Sequence, residues 1–213
     1  VLKYREEVLV EAGQIPFFDF LLKSGDYDCL LWADFIKKGA TSQKITQADG
    51  YEYEHYEDTY YNTEDLKSVT IKDECAANLF DTDNCDAFFS HQELEKQEEE
   101  ILTLSFKMER PLAKLVVKEK EAEQFAKLKK LTVNYDIPQS FNVFAGEPTG
   151  KNMTATFKKE FDGDASQVLF TSYVFVPSED EKDMNAIVLG LTTTATRNCE
   201  IPAGSIKLKR SQC

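Results

Sequence analysis

Residues 101–117 read ILTLSFKMERPLAKLVV, and this stretch decides the fold class of the chain. In its first half, LTLSFKM, apolar and polar side chains alternate with the period of two that is typical of a strand with one buried face. Pro111 has no backbone N–H, so the strand is expected to break, bulge or reach a sheet edge there. Alternation then resumes with Ala113, Leu115 and Val117 on one face. The stretch predicts two strands and hence β structure.

Short strand-like runs separated by turn residues continue along the chain, and they favour an all-β protein. Such spacing is typical of a β-sandwich, here with about seven core strands. Further strands are predicted at residues 27–35, 130–135, 140–144, 153–157, 168–176, 186–194 and 205–209.

Residues 37–100 differ in composition, because they are polar, acidic and rich in tyrosine. Capping signals at Asn62 and Ser90 predict short helices. We therefore expect an irregular, partly helical insertion at about residues 37–100, carried by a single elaborated domain spanning residues 1–213. The alternative is an N-terminal sandwich over residues 1–145 followed by a partial second sandwich over residues 146–213.

The charge balance excludes one broad class of partner. The 213 residues include 38 acidic and 25 basic side chains, for a net charge of −13. Proteins that bind nucleic acid need a basic face, so no nucleic-acid partner is expected. No apolar run approaches the roughly 20 residues of a membrane span.

Cysteine and histidine usage gives no metal or cofactor motif. The chain has five cysteines and two histidines, with no CxxC pair, so neither a metal site nor a cofactor is expected. Cys75 and Cys85 flank an acidic loop and could close a small disulfide. The alternative is that both remain thiols.

Two motif-like segments fail as ligand sites, and one common catalytic motif is absent. Residues 146–151 read GEPTGK, which has too few residues between its glycines for a phosphate-binding loop. A calcium loop starting at Asp81 and continuing through Asp83 has Asp86 where glycine is needed and Gln92 where a bidentate glutamate is needed. No GxSxG elbow is present. The protein is therefore not expected to be an enzyme, and no catalytic residue is assigned.

A cluster of tyrosines is the remaining candidate contact surface. Tyr51, Tyr53, Tyr56 and Tyr60 are interleaved with acidic residues. Aromatic rings beside acids can bind sugars or form adhesive contacts. The alternative is that these rings cover a sheet edge while the acids face water.

Several short motifs, taken in order, resemble one known family. These motifs are LWAD at 31–34, YYNTEDL at 60–66, DAFF at 86–89, RPLAKL at 110–115, SFNV at 140–143 and IPAGSIKLKR at 201–210. Together they resemble the fimbrillin-like surface lipoproteins of Bacteroidetes-type bacteria, and RPLAKL resembles the R-x-x-A-K strand of fimbrillin N-terminal domains.

This resemblance implies a transthyretin-like, Greek-key β-sandwich that is exported to the outer membrane or cell surface. The expected function is that of a non-enzymatic structural protein in fimbrial (pilus) assembly, anchoring or adhesion. Expected partners are other fimbrial subunits, or a second copy, joined by strand addition. A host or microbial surface glycan or protein is a further partner. Membrane contact is expected only through an N-terminal lipid anchor that this chain does not contain. A glycan-binding surface module that uses the tyrosines is the alternative.

Overall fold

The computed structural model describes residues 4–75, 82–162, 166–178 and 181–210. Within these ranges the chain is built mainly of strands, with one short α-helix, α1 (Ala122–Phe125), and three 3-10 helices at Leu66–Ser68, Asp73–Cys75 and Asp83–Cys85. The strands are β1 (Gly25–Asp34), β2 (Ser42–Thr46), β3 (Glu52–Tyr56), β4 (Tyr61–Asn62), β5 (Val69–Ile71), β6 (Ala87–Lys96), β7 (Leu112–Lys118), β8 (Lys130–Asn142), β9 (Glu147–Glu160), β10 (Val168–Phe175), β11 (Lys182–Asp183), β12 (Ile187–Thr192), β13 (Thr196–Ile201) and β14 (Lys207–Leu208).

The long strand β8 organises a six-stranded antiparallel sheet. Strand β9 pairs along one of its edges, while β12 and β5 share the other edge, followed outward by β13 and β4. Alternate side chains of β8 point inward, and Leu131, Val133, Tyr135 and Ile137 are all buried. This period of two is that of a strand with one face on the core.

The paired strands β7 and β10 pack against the inner face of this sheet. Aromatic contacts fill the space between the layers: Phe141 stacks on Phe175 at 5.4 Å between ring centroids, and Phe157 meets the ring of Phe170 at 5.7 Å. Such pairs contribute about 0.5–1.5 kcal/mol each beyond the area they bury. The core therefore lies between the six-stranded sheet and β10.

The antiparallel pair β1–β6 joins this core through the single tryptophan of the chain. The Trp32 ring lies 5.4 Å from that of Tyr61, and it also contacts Phe141 and Phe175. The expected all-β class is confirmed. The transthyretin-like, Greek-key arrangement stays a proposal.

Two local predictions were wrong. The capping signal at Ser90 does not start a helix, because residues 87–96 form β6 and pair with β1 along its whole length. Residues 101–108 alternate in exposure as predicted but form no strand. Of residues 101–110, only Glu109 enters a ladder, exchanging two 2.8 Å hydrogen bonds with Phe89. The expected insertion at residues 37–100 is thus richer in strands than predicted, with only the three 3-10 helices among its described residues.

Strands β8 and β9 form a hairpin across the alternative domain boundary at residue 146. A split there would separate two strands that pair over most of their length. The single domain over residues 1–213 stays the preferred prediction.

Candidate functional site

An apolar segment, residues 4–22, precedes β1 and is named the arm. It forms no strand, and it turns back at residues 11–14, where the Gln14 N–H donates to the Glu11 carbonyl at 3.0 Å. Gly13 occupies the left-handed region with φ of 86°, which glycine adopts without strain. The rings of Tyr4 and Phe20 lie 6.1 Å apart, so the two halves of the arm lie side by side.

The second half of the arm exposes large apolar side chains to solvent. Ile15 is 94% exposed, Phe17 78% and Leu21 97%. Single exposed apolar residues are ordinary on protein surfaces, but a contiguous set is typical of an interaction site. The arm is therefore the first component of the candidate site.

The first half of the arm is fixed to the body by a set of polar contacts, which we name the latch. The Arg5 guanidinium donates to the Thr63 carbonyl at 2.7 Å and forms an ion pair with Glu7. The Glu7 carboxylate accepts the backbone N–H of Tyr56 at 2.9 Å and lies 3.1 Å from Nδ1 of His55. These contacts hold the arm against β3 and against Thr63, which directly follows β4.

Two carboxyl groups lie beside the latch and hydrogen-bond each other. Asp34 ends β1 and accepts a hydrogen bond from Nε1 of Trp32 at 3.1 Å. Asp58 lies between β3 and β4 and accepts the Thr63 hydroxyl at 2.5 Å. Burial and the negative charges of Asp58 and Glu7 together raise the pKa of Asp34 to about 7. The pair thus holds one proton between two carboxyls near neutral pH.

The structure places the four tyrosines in different surroundings. All four are half-buried. The Tyr51 hydroxyl donates to the Arg5 carbonyl at 2.9 Å, and the Tyr53 ring lies under the Arg5 guanidinium at 5.5 Å. Tyr60 packs against the core instead. The glycan-binding role of these tyrosines stays a prediction. Tyr51 and Tyr53 contact Arg5 of the arm.

Cys75 and Cys85 are both buried, and each is the last residue of a 3-10 helix. The Cys75 thiol donates to the Thr59 carbonyl at 3.1 Å. Burial and the neighbouring Cys75 together raise the pKa of Cys85 to about 12. The two sulfurs therefore influence each other, and the disulfide stays a prediction.

The acidic loop around these cysteines is engaged with cations of the body. Asp81 lies outside the described residues. Asp83 accepts from the Lys114 ammonium and from the Tyr173 hydroxyl, each at 2.6 Å. Asp86 pairs with Arg110 at 2.7 Å. The described carboxylates of this loop thus stabilise the β7–β10 layer.

A cavity of about 260 Å³ lies between β6, the segment near Lys107 and the β8–β9 turn. Its aromatic wall is Phe144, whose ring contacts the His91 ring at 4.6 Å and the Lys67 ammonium at 4.6 Å. Arg210 lines the same cavity and donates to the carbonyls of Val176 and Gly146. Protein groups already contact this aromatic ring and this guanidinium, so the cavity is a weaker candidate than the arm.

Sequence reasoning missed the arm and the acid pair. The stretch at residues 1–10 alternates like a strand, yet its described part pairs with no other strand of the described chain. Asp34 and Asp58 meet only because β1 and the β3–β4 connection converge. The signal in the sequence was the apolar cluster FFDFLL at residues 17–22, which ends shortly before β1 begins at Gly25.

Together these features define an all-β protein of antiparallel sheets with an apolar arm latched to its body. None of the helices in the described ranges has the length and hydropathy to cross a membrane. Residues 3–204 match the family described as "Family of unknown function (DUF6562)", and the chain belongs to that family.

Among solved structures, the chain is similar to a "putative cell adhesion protein" from Bacteroides ovatus ATCC 8483, with 14% sequence identity and a TM-score of 0.43. The similarity covers 89% of this chain and 61% of that one, so this chain spans about three fifths of the length of that protein. No curated protein matches the sequence.

Proposed function

We propose that the protein is a non-enzymatic cell-surface structural protein that works in fimbrial assembly, anchoring or adhesion, and that its arm docks on a neighbouring subunit by strand addition. The observation that carries this proposal is the exposed apolar half of the arm, residues 15–21. The resemblance to fimbrillin-like proteins supports the same class of function.

Strand addition needs a donor segment that is extended, apolar and not already committed to a sheet. The described arm forms no ladder, and three of its large side chains are more than three quarters exposed. Main-chain hydrogen bonds would supply affinity, and alternate apolar side chains would enter pockets of the neighbour. Each large side chain buried in this way contributes roughly 1.5–3 kcal/mol.

Charge makes the arm the favoured point of contact between copies. The net charge is −13, so two bodies repel each other at low ionic strength. Between residues 8 and 21 only Glu11 and Asp19 are charged. The arm can therefore approach a neighbour with far less repulsion than the body can.

Self-association of the purified chain tests the proposal. Sedimentation velocity and light scattering are expected to give a mass that rises with concentration above the 24.3 kDa of one chain. The double variant Ile15→Asp, Leu21→Asp is expected to stay at that mass. A matched control is Ile101→Asp, since Ile101 is also 94% exposed but lies outside the arm.

Labelling of the chain in cells distinguishes self-assembly from assembly with other subunits. The epitope-tagged protein is expected in surface fibres by immunogold microscopy, and the arm variant is expected to be absent from them. If the purified protein stays monomeric and is also absent from surface fibres, the proposal is wrong. Equal association of wild-type protein and arm variant would also overturn the role of the arm.

A further inference from the structure

We propose that the protonation of the Asp34–Asp58 carboxyl pair controls the latch, which holds the arm folded back while the pair keeps a proton and opens when both carboxyls ionise. This inference rests on the proposed function for its consequence, because the arm that it releases is the proposed donor segment. The latch itself is a property of the single chain.

The geometry concentrates carboxyl groups from three separate segments. Asp34 comes from β1, Asp58 from the β3–β4 connection and Glu7 from the arm. Asp34 and Asp58 hydrogen-bond each other, and the charge of Glu7 acts on both. The Thr63 hydroxyl links the two sides, since it donates to Asp58 and accepts from Arg5 at 3.2 Å.

Cations and neutral groups from every neighbouring element face this cluster. Arg5 of the arm pairs with Glu7, and His55 of β3 does so when it is protonated. Lys72, which follows β5, donates to the Asp58 backbone carbonyl and lies 3.7 Å from the exposed Glu57. Tyr61 of β4 faces Asp34, and its burial raises its pKa well above 10, so this hydroxyl stays neutral.

The fixed cations are directed mainly at Glu7 and at a backbone carbonyl. The Asp34–Asp58 pair is instead stabilised by the neutral donors Trp32 and Thr63. One shared proton satisfies this arrangement, because one carboxyl then donates to the other. Ionisation of both places a third negative charge beside Asp58 and Glu7 without a matching cation.

The direction of the pH dependence follows from proton linkage. In the latched chain the pKa of Asp34 is raised to about 7 from an ordinary value of 3.8. Opening the arm removes the Glu7 charge, which is one of the causes that raise this pKa, so the latched state binds the proton more tightly than the open state. The latched-to-open ratio is therefore expected to fall as the pH rises through about 7.

Opening the latch changes the reach of the donor segment. The folded-back arm places its two halves side by side against Tyr51 and Tyr53. Once open, the arm stays tethered at Gly25 and can extend by up to about 3.3 Å for each residue. Assembly through residues 15–21 is therefore expected to increase as the pH rises through neutrality.

Trp32 reports directly on the carboxyl pair, because it is the single tryptophan and donates to Asp34. Titration of its fluorescence between pH 5 and pH 9 is expected to show one transition near pH 7. Asp34→Asn keeps the hydrogen-bonding shape without the titrating proton and is expected to abolish the transition. Asp26→Asn is the matched control, since Asp26 lies on the same strand and is exposed. No transition in the wild type, or an unchanged one in Asp34→Asn, would overturn the proposal.

Hydrogen exchange of the Tyr56 amide measures arm release independently of fluorescence, since this N–H donates to Glu7. Between pH 6 and pH 8 its exchange is expected to accelerate more than that of amides that do not contact the arm, and this excess is expected to be lost in Asp34→Asn. Glu7→Gln is a second variant if Asp34→Asn does not fold. It removes a negative charge that raises the pKa of Asp34, so its transition is expected to move to lower pH.

Comparing release with assembly separates the two proposals. If release of the arm depends on pH but the chain never assembles, the proposed function is wrong and the proton-controlled latch stands. Assembly through the arm with release that does not depend on pH overturns the latch and leaves the proposed function intact.

Discussion

The substitution Arg110→Ala tests most sharply how residues 101–117 contribute to the stability of the fold. Arg110 precedes β7 by two residues, and its Nε lies 2.7 Å from Oδ2 of Asp86, which is only 8% exposed. Arg110→Ala leaves that carboxylate buried without its cation. Breaking a fully buried pair costs about 3–5 kcal/mol, and the 31% exposure of the Arg110 side chain reduces this to about 2–3 kcal/mol. Loss of contact with the Phe88 ring, 5.1 Å away, adds to the effect.

Urea unfolding and thermal unfolding, both followed by circular dichroism, measure this loss of stability. At roughly 2–4 °C per kcal/mol for a chain of this size, the thermal midpoint is expected to fall by about 4–12 °C. Adding Asp86→Asn to Arg110→Ala removes the stranded charge and is expected to recover part of the stability. A double-mutant cycle isolates the pair. If Arg110→Ala costs less than about 0.5 kcal/mol, or if Asp86→Asn gives no recovery in its background, the reasoning is wrong.

Two further predictions concern the six-stranded sheet and the layer packed on it. A Cβ added at Gly190 would meet Oγ1 of Thr132 at 2.3 Å, so Gly190→Ala is expected to cost about 1–3 kcal/mol in urea unfolding. Thr132→Ala in the same chain is expected to relieve most of that loss, and failure to do so would contradict the clash. The Tyr135 hydroxyl donates to the fully buried Ser172 hydroxyl at 2.6 Å, so Tyr135→Phe is expected to cost about 1–2 kcal/mol. Thermal unfolding of Tyr135→Phe with Ser172→Ala is expected to give less than the sum of the single losses; strict additivity would rule out the coupling.

Local sequence patterns predicted those strands in which apolar and polar side chains alternate and which a proline separates from the preceding segment. Pro111 ends one extended segment and β7 begins directly after it, at Leu112. The apolar composition of VLFTSYVFV likewise predicted β10. Ala113 is 3% exposed, as expected for a small core position.

Strands whose bounds depend on pairing with distant strands were harder to predict. Residues 130–135 and 140–144 were predicted as separate runs, but most of their length forms the single strand β8, with Pro138 next to a bulge. Pairing with β9 on one side and with β12 and β5 on the other overrides the local break. The ten-residue strand β6 likewise owes its conformation to β1, against a local capping signal for a helix.

The candidate site was largely out of reach of sequence reasoning because its contacts are long-range. Arg5 meets Thr63 and Glu7 meets His55 across most of the first third of the chain. The elevated pKa of Asp34 depends on burial in the folded chain and on the charge of Asp58, which no local spacing relates to it. The exposed side chains of the arm were visible in the sequence, but their exposure depends on the arm staying outside the sheets.

Hydrogen exchange of residues 15–21 in assembled and monomeric protein tests the central claim most directly. A strand added at a sheet edge points every second N–H at its new neighbour. The account predicts that assembly slows exchange at alternate amides of this segment and leaves the amides between them less affected. Assembled protein whose amides at residues 15–21 exchange as fast as in the monomer would contradict the account.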